Sequence, residues 1–171
     1  SSLKPGNTAG AAYCGVRPHM STRDWITAAS KKLGHEAEMR LVEPHRFKAI
    51  LERIIAERTD LGKDGISGLW WWEALKAPVT YKTPSEPISF IQSLLLPNEP
   101  IWFVAEESGD KAYGNFWLYE STPCIACAIL KECPAFEYYI VEKKMGWLIC
   151  ENHHGCVIAS GEPAAKLLRE A

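Results

Sequence analysis

No apolar run in this chain approaches the ~20 residues that cross a bilayer as a helix, so no membrane span is expected. A charged-then-apolar leader is also missing, and no signal peptide is expected. There is no surplus of positive charge: the formal net charge of −2 argues against binding nucleic acid by charge alone. The chain has no phosphate-cradling glycine loop, and no nucleophile can be paired by spacing with a base and an oxyanion donor. Internal repeats are absent, as is low-complexity sequence after Met20. What is present is an ordinary globular composition, 47% apolar and 23% charged, over 171 residues. That length suits one domain with a substantial core.

Residues 1–19 stand apart, rich in Gly, Ala, Ser and Pro and without hydrophobic periodicity. They end in Pro18-His19-Met20, and a His-Met pair is what a common cloning site leaves before a start methionine. The expectation is a vector-derived or disordered leader over 1–19 and a single α+β domain over 20–171. Without Lys4 and Arg17 the 19 basic residues fall to 17 against 21 acidic ones, a net −4. Without Cys14, five cysteines remain: Cys124, Cys127, Cys133, Cys150 and Cys156. An odd number, several of them inside apolar runs, fits reduced thiols in a cytoplasm rather than a disulfide framework.

Taken in order, Ser21 or Thr22 caps a first helix with Asp24 in its first turn, and Gly34 stops it. Pro44 opens a second helix, in which Phe47, Ile50, Leu51, Ile54 and Ile55 recur at steps of three and four. Leu69 to Leu75, containing Trp70-Trp71-Trp72, reads as an edge or near-edge strand, with at least one tryptophan in the core. Pro78, Pro84 and Pro87 make the following stretch irregular, and Ser85 is placed as the cap of a short helix through Ile88, Ile91, Leu94 and Leu95. Ile101–Ala105 and Phe116–Tyr119 read as strands joined by an acidic hairpin loop from Glu106 to Lys111. Pro123 opens a helix to about Cys133, with Ile125, Ala128 and Ile129 inward.

Then comes the densest apolar pattern, from Phe136 to Gly161, with three runs separated by polar links. It predicts a three-stranded antiparallel meander at the centre of the sheet, followed by a short helix from Pro163. The whole is an α+β fold: a mainly antiparallel sheet of five to six strands with the N-terminal helices packed on one face.

Four constellations could carry chemistry. Cys124-x-x-Cys127 sits at a helix start, where a redox pair would be activated, but residues three apart also share a packing face, and packing is preferred. Zinc would need a second knuckle beside Cys150-x-x-His153, and that partner would have to come from a helix, so no metal or other cofactor is expected. Glu151, His153 and His154 could act as a general acid/base group, whereas Asn152 and Gly155 suit a turn with the histidines bonded around it. The turn is the preferred reading. Finally, Glu106, Glu107, Asp110 and Glu120 lie on and beside one hairpin with Trp117 and Tyr119, a combination that suits a basic protein partner.

The segment Cys133-Pro134-x-Phe136-Glu137-Tyr138-Tyr139-Ile140-Val141, with Trp147-Leu148-Ile149-Cys150-Glu151-Asn152-His153-His154, resembles a family of small uncharacterised bacterial proteins. Their shared pattern runs close to CPxFEYYIVxKKxxWLxCENHH, and the resemblance spans roughly Ile101 to Gly161. After the two histidines an acidic residue is frequent in that family; here Gly155 stands instead. The resemblance implies no activity, but proteins of this size and architecture resemble toxin-immunity partners. The expected function is therefore a cytoplasmic bacterial immunity or antitoxin-like protein that binds a cognate protein toxin directly. Its expected contact residues are Glu106, Glu107, Asp110, Trp117, Tyr119, Glu120, Glu151, His153 and His154. The alternatives are a small enzyme, possibly metal-dependent, built on Glu151, His153 and His154, and a structural domain with a redox-sensing thiol.

Overall fold

The computed structural model describes residues 20–62, 65, 70–107 and 116–171. The leader over 1–19, Leu69 and the hairpin tip with Asp110 and Lys111 lie outside them. Helix α1 (Thr22–Leu33) is capped by Ser21 in a reciprocal box with Asp24 and ends at Gly34, whose φ of 71° only glycine adopts without cost. Helix α2 (Pro44–Arg58) buries Leu51, Ile54 and Ile55. Helices α3 (Pro87–Leu94), α4 (Pro123–Glu132) and α5 (Ala164–Glu170) complete the set. Among the described residues no helix is long and apolar enough to cross a membrane.

The strands are β1 (Arg40–Leu41), β2 (Val79–Lys82), β3 (Ile101–Glu106), β4 (Phe116–Ser121), β5 (Tyr138–Glu142), β6 (Leu148–Glu151) and β7 (Val157–Ser160). They form one antiparallel sheet in the order β1-β4-β3-β5-β6-β7-β2. The meander is as expected, with β5 the middle strand. The count is seven rather than five to six, because β1 and β2 were not expected. A two-residue strand carries no period, and β2 lies among prolines at an edge, where such residues are tolerated.

The expectation that the N-terminal helices share a face is corrected. Ile26 and Ala29 of α1 pack with Ile91 of α3, Ile129 of α4 and Leu168 of α5 on one side of the sheet. Leu51, Ile54 and Ile55 of α2 pack with Trp71 on the other. Both faces of the antiparallel sheet are thus covered, which explains why its strands read as continuous apolar runs rather than as alternation. Along β3, Ile101, Phe103 and Ala105 enter the first core while Trp102 and Val104 enter the second. On α4 the buried residues are Pro123, Ala126, Cys127, Ile129 and Leu130, a slightly rotated version of the predicted stripe.

The tryptophan strand is also corrected. Trp71–Ala74 is a single 3₁₀ turn, entered through Trp70 in the left-handed region at φ 63°. Tertiary packing overrides β propensity here. The Trp71 ring stacks against Phe116 at 4.4 Å and Tyr139 at 5.0 Å, and its Nε1–H donates to the Gly65 carbonyl at 2.8 Å. Nor does Ser85 cap α3: Glu86 occupies the cap position without a side-chain bond.

Candidate functional site

Antiparallel pairing brings the C-terminal end of β3, the approach to β5 and the C-terminal end of β6 to the same end of the sheet. Three glutamates meet there. Glu106 closes β3, and its backbone N–H donates to the Glu137 carbonyl at 2.9 Å, so the two side chains become neighbours on the α2 side. Glu151 closes β6 on the opposite face, where the Tyr138 hydroxyl donates to its Oε2 at 2.7 Å.

The link between β6 and β7 is a turn built by Asn152. Its Oδ1 accepts from the backbone N–H groups of His154 and Cys156, at 3.0 and 3.1 Å, and Gly155 supplies a φ of 71°. On an extended strand His153 and His154 would point apart; the turn sets their rings 4.0 Å apart. His153 is tethered twice to Glu137 Oε1, through its backbone N–H at 3.0 Å and through Nδ1 at 2.5 Å. Its ring lies 5.6 Å from Trp70 and 5.9 Å from Trp72, and the His154 ring meets Trp72 edge-on at 6.3 Å.

These residues surround an open pocket of about 420 Å³ lined by Trp70, Glu106, Phe136, Glu137, Glu151 and His153 among others, and by no Lys or Arg among the described residues. Glu106 and Glu137 are only 7% and 8% exposed. The Oε2 atoms of both are buried without a hydrogen-bond donor. Two carboxylates so placed repel, and burial, the hydrogen bond to Glu137 and the Glu137 charge push the Glu106 carboxyl up to about 8. Burial beside a second carboxylate thus favours the protonated form of Glu106. Burial also raises Glu151, opposed by the Tyr138 hydrogen bond. The arrangement can offer acceptors and negative charge to a cationic group, or hold and pass a proton near His153.

The predicted contact residues are therefore divided. Glu106, Glu151 and His153 line the pocket, and His154 stands beside it. Glu107 instead caps a helix: its carboxylate accepts from the Thr22 N–H at 3.1 and 3.2 Å and from Trp117 Nε1 at 2.7 Å, beside the positive end of α1. Trp117 carries the Arg23 guanidinium over its ring at 5.4 Å. Tyr119 is core, 3% exposed. Glu120 lies at the far end of the sheet in an ion-pair group with Arg40, Arg46 and Lys143. The hairpin thus forms no single acidic–aromatic surface among the described residues.

Glu137 and Trp70 are the site residues that sequence reasoning missed. A glutamate immediately before the fully buried Tyr138 was the one available signal for the first.

The cysteines are all free among the described residues. Burial drives Cys127 up to about 12, the reverse of redox activation. Also among the described residues, no group of three or more His, Cys, Asp or Glu is arranged to hold a metal ion. In comparisons with known proteins, the profile of a family of unknown function (DUF6756) matches residues 19–171. Neither a curated protein nor a solved structure matches the chain.

Proposed function

The chain belongs to the DUF6756 family across residues 19–171, and we propose that it acts by binding a partner protein, as an immunity or antitoxin-like protein binds a cognate toxin, with the pocket at the Glu137 end of the sheet as the contact. The observation that carries this reading is the pocket itself: three glutamates, a tethered histidine and the aromatic walls Trp70 and Phe136, open at the surface. Acidic acceptors framed by aromatic rings suit a basic anchor residue on a partner surface. The reading keeps the expected function and narrows its contact to Glu106, Glu151, His153 and His154 of the expected set, with Glu137 and Trp70 added.

The test is co-expression with the product of the neighbouring open reading frame. Wild type forms a stoichiometric complex and protects the host, and Glu137→Gln with His153→Asn weakens the complex at least tenfold, ~1.4 kcal/mol or more. No complex and no protection with wild type would sink the reading.

One contact favours a second reading, a small enzyme that transfers protons. Glu137 holds the His153 ring through Nδ1 at 2.5 Å, as an orienting carboxylate holds a catalytic base, with protonated Glu106 as the acid. In that version Glu137 replaces Glu151 as the partner of His153. A metal-dependent form would show zinc or iron in elemental analysis of gently purified protein.

A further inference from the structure

The pocket holds two carboxylate oxygens that no donor among the described residues serves. Glu106 Oε2 and Glu137 Oε2 are buried, lack a donor and belong to side chains that line an open cavity. A buried carboxylate without a donor is costly, and in the empty pocket a proton is what relieves it. A ligand able to replace that proton must bring both positive charge and N–H groups. Among the described residues the cavity's lining supplies neither a lysine nor an arginine to do so.

The geometry points to the guanidinium group of an arginine side chain as the ligand, seated on the Glu106–Glu137 carboxyl pair. This rests on the protein-binding reading, in which the arginine belongs to the partner. Three features favour guanidinium over ammonium. Its donors form a rigid planar fork matched to carboxylates, whereas ammonium is a compact and strongly hydrated charge. Trp70, 42% exposed, and Phe136 place aromatic rings on the cavity wall, and a planar cation is attracted to aromatic rings. Glu137 Oε1 is already committed to His153, which leaves its Oε2 and that of Glu106 as the free acceptors.

Exchange of a proton for a cation ties binding to pH. As the pair's proton leaves on binding, affinity rises with pH and levels off once the pair is already deprotonated. The other titratable groups around the pair are Tyr139 on β5, Cys150 on β6, and His153 with His154 beside it in the turn, while Glu151 lines the cavity from the opposite face of the sheet. Burial holds Tyr139 and Cys150 well above their ordinary values, so both stay neutral. Burial also raises Glu151, which remains bonded to Tyr138. His153→Asn separates the imidazole contribution.

The test is calorimetric titration of the full chain with four probes: a capped arginine, a capped lysine, a capped citrulline and methylguanidinium. Capped arginine is expected to bind at least tenfold more tightly than citrulline, its neutral isostere, and more tightly than lysine. Its affinity should rise about tenfold per pH unit below about pH 8, with one proton released per ligand, and flatten above. Glu106→Gln, which has no proton to give up, should abolish the pH dependence and weaken binding at least tenfold; the wild-type pH profile stands without that variant. Equal binding of citrulline, pH-independent arginine binding by wild type, or no arginine binding at millimolar concentration would overturn the inference. Methylguanidinium binding as tightly as capped arginine would support the cation and overturn a partner side chain as its source. A co-expressed complex that resists competition by capped arginine defeats this inference alone, whereas absence of any complex defeats the protein-binding reading and leaves the probe data standing.

Discussion

Glu106 and Glu107 are adjacent in the chain and do opposite work. Glu107 points to the α1 side and spends both oxygens on the helix start and the Trp117 indole. Glu107→Ala should therefore cost about 1 kcal/mol in urea unfolding, as loss of a helix cap does, and leave probe binding in the pocket unchanged. Glu106 points to the α2 side, and its carboxyl is raised from 4.5 to about 8 mainly by burial. The folded state thus binds more protons than the unfolded state between those values, so this group's contribution to stability falls as pH rises through the window and is constant above it. Glu106→Gln should raise the melting temperature at about pH 8.5 and flatten its decline from about pH 5, measured by thermal scans across the range. A variant melting below wild type at high pH would contradict the assignment. At Gly161, φ is 82° and a Cβ would collide with the Gly146 carbonyl and the Arg58 guanidinium. Gly161→Ala should cost about 2 kcal/mol or more by chemical denaturation.

At the scale of elements, adjacent tryptophans make the sharpest contrast. Trp71 is fully buried between α2 and the sheet, so Trp71→Ala should cost about 3–5 kcal/mol. Trp70 is nearly half exposed, and Trp70→Ala should cost under about 1 kcal/mol while weakening guanidinium binding several-fold. Helices α1, α2 and α4 were legible because caps, prolines and the spacing of apolar residues are local signals. So was the β5–β6–β7 meander, whose runs are continuous because both faces are covered. The tryptophan turn was not legible, since what selects it is Phe116, Tyr139 and the Gly65 carbonyl, all supplied by tertiary contact. The side of the sheet taken by α2 was equally hidden, because an apolar stripe says that a face is buried and not against which surface. The Asn152–Gly155 turn could be read from its residues; the carboxyl pair could not, because Glu106 and Glu137 become neighbours only through the pairing of β3 with β5.

Across the molecule, charge is distributed unevenly between the two ends of the sheet. At one end Glu120 is compensated by Arg40, Arg46 and Lys143. At the other, the cavity gathers Glu106, Glu137 and Glu151 with no lining lysine or arginine among the described residues. The helices on both faces leave this end open, and the loop turns around it carry the residues that give it chemistry. The partner-binding proposal, the proton-transfer alternative and the guanidinium inference all depend on that pocket, and the last two on the paired carboxyls of Glu106 and Glu137 within it. The most direct measurement is a carbon-detected NMR pH titration of the protein labelled with ¹³C at the glutamate carboxyls, with Glu106→Gln and Glu137→Gln used for assignment. The account predicts a Glu106 midpoint near 8, a transition that disappears in Glu106→Gln. Glu106 titrating at the ordinary glutamate value of about 4.3 would contradict it.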